Sequence, residues 1–153
     1  MKHQNITPLS NMEVSAFCSQ MSMILNAGIS SIEGIDLLIE DSESSDEKAL
    51  LNIIQESLGE TGSIYESLLS TKAFPEYMLN MVNIGEQTGQ MDSVFDALAT
   101  HYEREASISQ SIKNAVTYPM IMVTMMIVVI LVLITQVMPI FNQVFKQLGS
   151  EMT

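Results

Sequence analysis

The sequence predicts an all-α protein, an antiparallel bundle of about six helices followed by one transmembrane helix. Apolar residues recur at three- and four-residue spacing through residues 12–113, and nothing there alternates with the period of a β-strand. Helix-capping serines and terminating glycines interrupt this pattern at short intervals, which is typical of short helices with tight connections. No residue from Asn114 to Phe145 is charged, which indicates a segment suited to lipid.

The first half of the predicted bundle consists of three helices. The first starts at about residue 12 and ends near Gly28, which stands where a C-terminal cap belongs. The second opens with the capping-box pattern Ser30-Ser-Ile-Glu33. The acidic, serine-rich run Glu40–Glu47 is interpreted as a loop, with a basic partner surface as the alternative, and it closes with a second capping box that begins at Ser44. The third helix is predicted to stop near Gly59.

The second half of the predicted bundle also holds three helices. Ser63 and Glu66 form a capping-box pattern at the start of a short fourth helix, and Pro75 suits the first turn of the fifth. The segment Gly85–Gly89 breaks the fifth helix, and we expect Gly85 to allow a close helix approach and Gly89 a left-handed turn. The sixth helix begins near Met91 and leads almost continuously towards the membrane.

The centre of the uncharged stretch, Met120–Met138, is apolar on every face and lies between Pro119 and Pro139. Its 19 residues span about 28 Å as a helix, close to the bilayer hydrocarbon thickness of about 30 Å. A buried core helix is the alternative, but it would usually show a polar side. The predicted organisation is a flexible N-terminal arm (1–11), a helical-bundle domain (12–113), a lead-in to the membrane (114–118), a transmembrane helix (119–138) and a short post-membrane segment (139–153).

The charge of the chain lies almost entirely in the predicted bundle. The formal net charge is −12, and residues 1–113 hold 17 Asp and Glu against five Lys and Arg. Such a domain is repelled by nucleic acid and by anionic lipid headgroups. Residues 1–20 lack the apolar core of a signal peptide, so we expect the bundle to stay in the cytoplasm. The single cysteine, Cys18, excludes an intramolecular disulfide, and no catalytic motif is present, so the chain is not interpreted as an enzyme.

Several short motifs occur in an order that resembles one known family. Three lie at or beyond the end of the fifth helix: Ile84-Gly-Glu-Gln-Thr-Gly-Gln90, which is similar to a GE-x-[ST]-G signature; Lys113-Asn-Ala-Val-Thr-Tyr118-Pro119 before the membrane; and Val137-Met-Pro139-Ile-Phe141 after it. With Leu25-Asn-Ala-Gly-Ile-Ser30 and Phe74-Pro75, they resemble the F family of type II secretion and type IV pilus proteins, which are polytopic inner-membrane platform proteins.

The resemblance implies a scaffold in the inner membrane of a type II secretion, type IV pilus or competence pseudopilus machine. Its partners would be the cytoplasmic assembly ATPase, other inner-membrane proteins of the machine, a pilin or pseudopilin, and further copies of itself. Family members usually carry two helical domains and three transmembrane segments, whereas this sequence ends at Thr153, so we expect a truncated product or a half that needs a partner. The alternative from another class is a single-pass membrane sensor or regulator with an acidic helical domain.

The resemblance also implies a possible calcium site, although no cofactor is required. Some family members are described as binding calcium at positions that match Glu33, Glu86 and Gln90, and oxygen ligands suit that cation. The structural alternative is that Glu33 is the capping partner of Ser30 and that Glu86 is a cap near the next helix. The residues proposed for structural roles are Gly28, Gly85, Gly89, Tyr118, Pro119 and Pro139.

Overall fold

The computed structural model describes residues 6–149, and every regular element in that range is an α-helix. The fold class predicted from the sequence is therefore confirmed. The ends of the predicted arm (residues 1–5) and of the predicted post-membrane segment (150–153) lie outside the described residues. The chain divides into two compact units, residues 1–108 and 109–153. The helices are α1 (Asn11–Asn26), α2 (Ser31–Asp41), α3 (Ser45–Thr61), α4 (Ile64–Thr71), α5 (Glu76–Thr88) and α6 (Met91–Gly149).

The core of the first unit collects apolar side chains from all six helices. The Phe17 ring lies 5.1 Å from the Phe74 ring and 6.2 Å from the Phe95 ring, measured between centroids, which joins α1 to the α4–α5 connection and to α6. Phe95, Met21, Ile35, Ile54 and Leu68 are among the largest side chains that are fully buried. Removing such side chains from water supplies most of the free energy that holds the helices together.

The start of α1 corrects the predicted arm. Ile6 and Leu9 pack against the core, and the Leu9 N–H donates to the Ala73 carbonyl at 3.0 Å. Ser10 and Glu13 form a complete capping box at the first turn of α1. Residues 6–10, predicted as part of a flexible arm, are thus attached to the bundle by burial and by a backbone hydrogen bond.

Both ends of α3 differ from the sequence prediction. Ser44 precedes the helix but makes no side-chain cap; instead the Ser42 hydroxyl donates to Glu47 Oε2 at 3.0 Å. The helix continues through Gly59 and ends at Thr61, because Gly62 adopts the left-handed conformation with φ 69°. The helix therefore ends at Thr61, slightly later than the predicted end near Gly59, because Gly62 and not Gly59 adopts the left-handed conformation that terminates it.

The second unit contains the part of α6 from Ser109 onwards. It is the one helix in the described range that is long and apolar enough to cross a membrane, and its most apolar window has a mean hydropathy of 2.7. The helix includes Pro119 and Pro139 and continues beyond the predicted transmembrane segment to Gly149. The Thr124 and Thr135 hydroxyls donate to carbonyls four residues earlier, at 2.8 and 2.9 Å, so both are satisfied within the helix.

Candidate functional site

The most developed polar site in the bundle joins the end of α5 to the start of α4. Glu86, in the last turn of α5, directs its carboxylate at the first residues of α4. Its Oε2 atom accepts from the Ser63 hydroxyl at 2.8 Å and from the Tyr65 N–H at 3.2 Å, and Oε1 accepts from the Ile64 N–H at 3.0 Å. The unpaired N–H groups of a helix N-terminus carry partial positive charge, so a carboxylate is the preferred partner there.

Ser63 completes this cap from the other side. Its Oγ atom accepts from the Glu66 N–H at 3.2 Å while its hydroxyl donates to Glu86. The sequence pattern assigned the acidic role in this capping box to Glu66, three residues after Ser63. The carboxylate that faces Ser63 comes instead from Glu86, so the cap is a tertiary contact that links α4 to α5.

The turn that follows Glu86 is shaped by two glycines. Gly89 ends α5 with φ 70°, a conformation that side chains with a Cβ rarely adopt. At Gly85 a Cβ atom would lie 2.9 Å from Val94 Cγ2, so the absence of a side chain lets α5 and α6 approach closely. Gln90 follows the turn, and its backbone N–H donates to the Gly85 carbonyl at 2.9 Å.

The three residues considered for calcium have hydrogen-bonding roles in this fold. At the start of α2, the Glu33 N–H donates to Ser30 Oγ at 3.3 Å, and Glu33 Oε2 accepts from the Ser30 hydroxyl at 3.1 Å. Glu86 caps α4, and Gln90 stabilises the turn through its backbone. A calcium ion takes six to eight oxygen ligands and would compete with α4 for the Glu86 carboxylate. Between residues 6 and 149 no group of three or more His, Cys, Asp or Glu could hold a metal ion. Calcium binding stays a prediction.

The other residues singled out by sequence lie elsewhere. Gly28 follows α1 with φ 81°, and its N–H donates to the Leu25 carbonyl at 3.0 Å. Tyr118 and the two prolines belong to the second unit, along α6. Cys18 is fully buried in the first unit, and burial raises the pKa of its thiol to about 12. A protonated, inaccessible thiol is not a nucleophile at neutral pH.

The fold and the site together define a helical-bundle protein with a helix suited to a membrane span, in which the Glu86 carboxylate links two helices of the bundle. Comparison with known proteins makes this class specific. Residues 17–139 match the family model described as "Type II secretion system (T2SS), protein F". That match covers most of the chain, including both the Glu86 cap and the apolar part of α6, so the chain belongs to the type II secretion system protein F family.

Individual relatives agree with the family match. The type IV pilus assembly protein PilC of Pseudomonas aeruginosa is 28% identical over 142 residues, which cover 92% of this chain and 38% of PilC. The protein transport protein HofC homolog of Escherichia coli is 26% identical, over 98% of this chain and 41% of its own. The type II secretion system protein F of Aeromonas hydrophila is 26% identical, over 86% and 34%. The chain thus spans 34% to 41% of the length of these relatives.

Proposed function

We propose that this chain is a non-enzymatic scaffold component of a type II secretion, type IV pilus or competence pseudopilus machine in the inner membrane. In this role the bundle lies in the cytoplasm and, together with further copies of itself and other inner-membrane proteins, couples the assembly ATPase to the assembly of pilin or pseudopilin. The observation that carries the proposal is the family match, which runs through the bundle and the apolar helix. It favours a platform over a single-pass sensor, because the relatives are named for secretion and pilus assembly.

The partner assignment is tested by co-purification from cells that express the rest of the machine. The tagged full chain is extracted in mild detergent after cross-linking, and we expect the assembly ATPase and a pilin or pseudopilin among the captured proteins. The control keeps residues 109–153 but replaces the bundle with an unrelated helical domain of similar charge. Equal capture by the chain and the control, or capture of neither partner, would overturn the scaffold proposal.

The cytoplasmic orientation is tested by thiol labelling. Cys18 is buried, so it contributes little background, and replacing it with alanine removes the native thiol. A cysteine introduced at the exposed position Ser45, in the first turn of α3, then reports the side of the membrane on which the bundle lies. We expect a membrane-impermeant maleimide to label it only after the cells are opened. Labelling of intact spheroplasts would place the bundle outside the cytoplasm.

The calcium prediction is tested by titration calorimetry on the full chain. Because the Glu86 oxygens already accept three hydrogen bonds, a calcium ion would have to replace them, and we expect binding no tighter than millimolar. Strong heat that disappears in Glu86→Gln and persists in Gln87→Glu would establish the site. No heat at millimolar calcium would leave Glu86 with its capping role alone.

A further inference from the structure

An open groove of about 740 Å³ lies in the first unit, on the side of the bundle where the chain enters α1. Residues 6–9 form one wall, α1 a second and the beginning of α3 a third. The floor is apolar and is made by core side chains that are nearly covered: Phe17, Leu50, Leu51 and Phe74. A groove of this volume is within the range of ligand-binding cavities, which is roughly 300–1,000 Å³.

The rim of this groove is acidic. Glu13 contributes from α1, and Asp46 and Glu47 contribute from the first turn of α3. All three are exposed, and no Lys, Arg or His occurs among the described residues that line the groove. Acidic residues in a first turn also stabilise a helix through its dipole, which explains why α3 begins with two of them. Glu13 also accepts hydrogen bonds from Ser10 at the start of α1, and Glu47 accepts one from the Ser42 hydroxyl, so both carboxylates have a local role besides their place on the rim. These local roles do not require the three carboxylates to border one apolar groove.

We propose that this groove binds a basic segment of a partner protein, whose apolar side chains contact the floor while its Lys or Arg side chains face Glu13, Asp46 and Glu47. The inference rests on the proposed scaffold function and gives the chemistry of one of its contacts. Lys and Arg suit such a site, because their aliphatic stems cover apolar surface while their charged ends stay in water.

Charge complementarity separates this occupant from the alternatives. A second copy of the bundle would bring another strongly acidic surface to the rim, since residues 1–113 hold 17 acidic against five basic side chains. Anionic lipid headgroups would be repelled for the same reason. A cationic protein segment is instead attracted to the acidic rim, and this attraction also raises its rate of association.

The test uses the full chain in nanodiscs of uncharged lipid headgroups, with empty nanodiscs as the blank. The probe is a short fluorescent peptide with lysines on one helical face and leucines on the other, and binding is followed by anisotropy.

Asp46→Asn with Glu47→Gln removes two charges from the rim, and the glutamine still offers an oxygen to Ser42. The matched control, Glu56→Gln with Glu60→Gln, removes two exposed charges from the same helix outside the groove. Ala49→Phe fills the groove without changing the charge.

We expect the rim pair to weaken peptide binding about fivefold, which is the range for two exposed ion pairs, and the control pair by less than about twofold. Ala49→Phe should abolish binding while its thermal unfolding stays cooperative. Equal weakening by both charge pairs would reduce the effect to overall charge and overturn the proposal. So would binding that appears only after residues 2–5 are deleted, because the groove would then belong to the chain's own N-terminus.

The outcome separates this proposal from the scaffold function. If the peptide fails to bind while the assembly ATPase still co-purifies, the groove proposal alone fails. If the peptide binds with the expected variant pattern but no component of the machine is captured, the scaffold function fails and the groove remains a basic-peptide site.

Discussion

Glu86 connects two helices through one side chain. Its position in the last turn of α5 is unfavourable for that helix, because a negative charge there adds to the negative end of the helix dipole. The same carboxylate accepts two backbone N–H groups and one hydroxyl at the positive end of α4. Bonds to a charged acceptor are roughly twice as strong as neutral ones, so the arrangement stabilises the pair of helices more than it costs α5.

Glu86→Ala should therefore lower the free energy of unfolding by about 2–4 kcal/mol, because it leaves the first N–H groups of α4 without a protein partner. Glu86→Gln keeps one acceptor oxygen and should cost about half as much. Chemical denaturation of the full chain in neutral detergent, followed by circular dichroism, measures both. Gln87→Ala, at the neighbouring exposed position, is the control and should change stability by less than about 0.5 kcal/mol. A loss in Glu86→Ala no larger than in Gln87→Ala would refute the capping role.

Burial of Cys18 makes the stability of the bundle sensitive to alkaline pH. Its thiol has a pKa of about 12 in the folded chain against an ordinary value near 9.0, because burial disfavours the thiolate. Above pH 9 the thiol loses its proton in the unfolded chain before it does so in the folded chain. The contribution of the protonated thiol to the free energy of unfolding is therefore full below pH 9 and is lost as the pH rises towards 12. At about pH 10.5 the loss from this group should be about 2 kcal/mol.

The measurement compares the unfolding free energies of the natural chain and of Cys18→Ala at pH 8 and at about pH 10.5. Burial raises the pKa of Tyr102, and the charge of the Cys18 thiolate raises it further, so the difference between the two proteins also includes a contribution from Tyr102 that is lost with Cys18. We expect the stability of the natural chain to fall more steeply with pH. Parallel pH profiles would mean that Cys18 ionises freely in the folded bundle.

At the scale of elements, the connection between α5 and α6 depends on the missing side chain of Gly85. A Cβ atom there would lie 2.9 Å from Val94 Cγ2 and 3.2 Å from Met91 Sδ. Gly85→Ala should destabilise the bundle by about 1–3 kcal/mol, as overpacked core substitutions do. Combining it with Val94→Ala should recover part of that loss, and a double-mutant cycle by thermal unfolding measures the coupling.

Gly59→Ala provides the matched control for this prediction. Gly59 lies inside α3, and a Cβ atom there would meet nothing within 4 Å. The substitution should therefore stabilise the chain by about 0.5–1 kcal/mol, because alanine favours the helix. The two glycine-to-alanine substitutions are thus expected to change the stability of the chain in opposite directions. Destabilisation of similar size by both would contradict the explanation that α5 and α6 approach closely at Gly85.

Local patterns predicted the helices well because most of their signals are local. The spacing of apolar residues and the caps at Ser30 and Ser63 place the starts of α2 and α4 correctly, since an N-cap binds an N–H only three residues ahead. The predicted helix ends are wrong where two nearby residues of the same type could each serve as the cap or the terminating residue. Gly62 rather than Gly59 ends α3, and Ser42 rather than Ser44 bonds with Glu47.

The candidate sites were harder to predict because they depend on contacts between distant residues. Glu86 lies more than 20 residues after Ser63, and no capping pattern spans that interval. The sequence placed Glu86 as a cap near the next helix, α6, whereas its carboxylate caps the earlier helix α4. The groove joins residues before α1 to the first turn of α3, which only the packed bundle brings together. The acidic run Glu40–Glu47 was interpreted as a loop, with a basic partner surface as the alternative, and the apolar floor beside it could not be inferred from that run alone.

At the scale of the whole molecule, charge and hydrophobicity are divided between the two units. The acidic side chains lie almost all before residue 109, whereas α6 between Asn114 and Phe145 is uncharged and nearly all of its side chains are exposed. Each part suits a different solvent, since the acidic surface favours water and the apolar surface favours lipid. The division predicts that membrane association depends on the uncharged part of α6 and not on the bundle.

This dependence is tested by placing three lysines in the centre of the apolar segment, as Met125→Lys, Val129→Lys and Val132→Lys. Each lysine at a helix centre costs about 2.5–3.5 kcal/mol of insertion free energy, so the three together should offset most of the gain from the apolar residues. We expect the variant to be extracted from membranes by alkaline carbonate. The matched control is Asn142→Lys, Gln143→Lys and Gln147→Lys, which adds the same charge beyond Pro139, where lysine side chains can reach the membrane surface. The control should stay in the membrane fraction. Equal extraction of the two variants would show that the added charge causes extraction wherever it is placed, and would contradict the prediction that the apolar part of α6 lies in lipid.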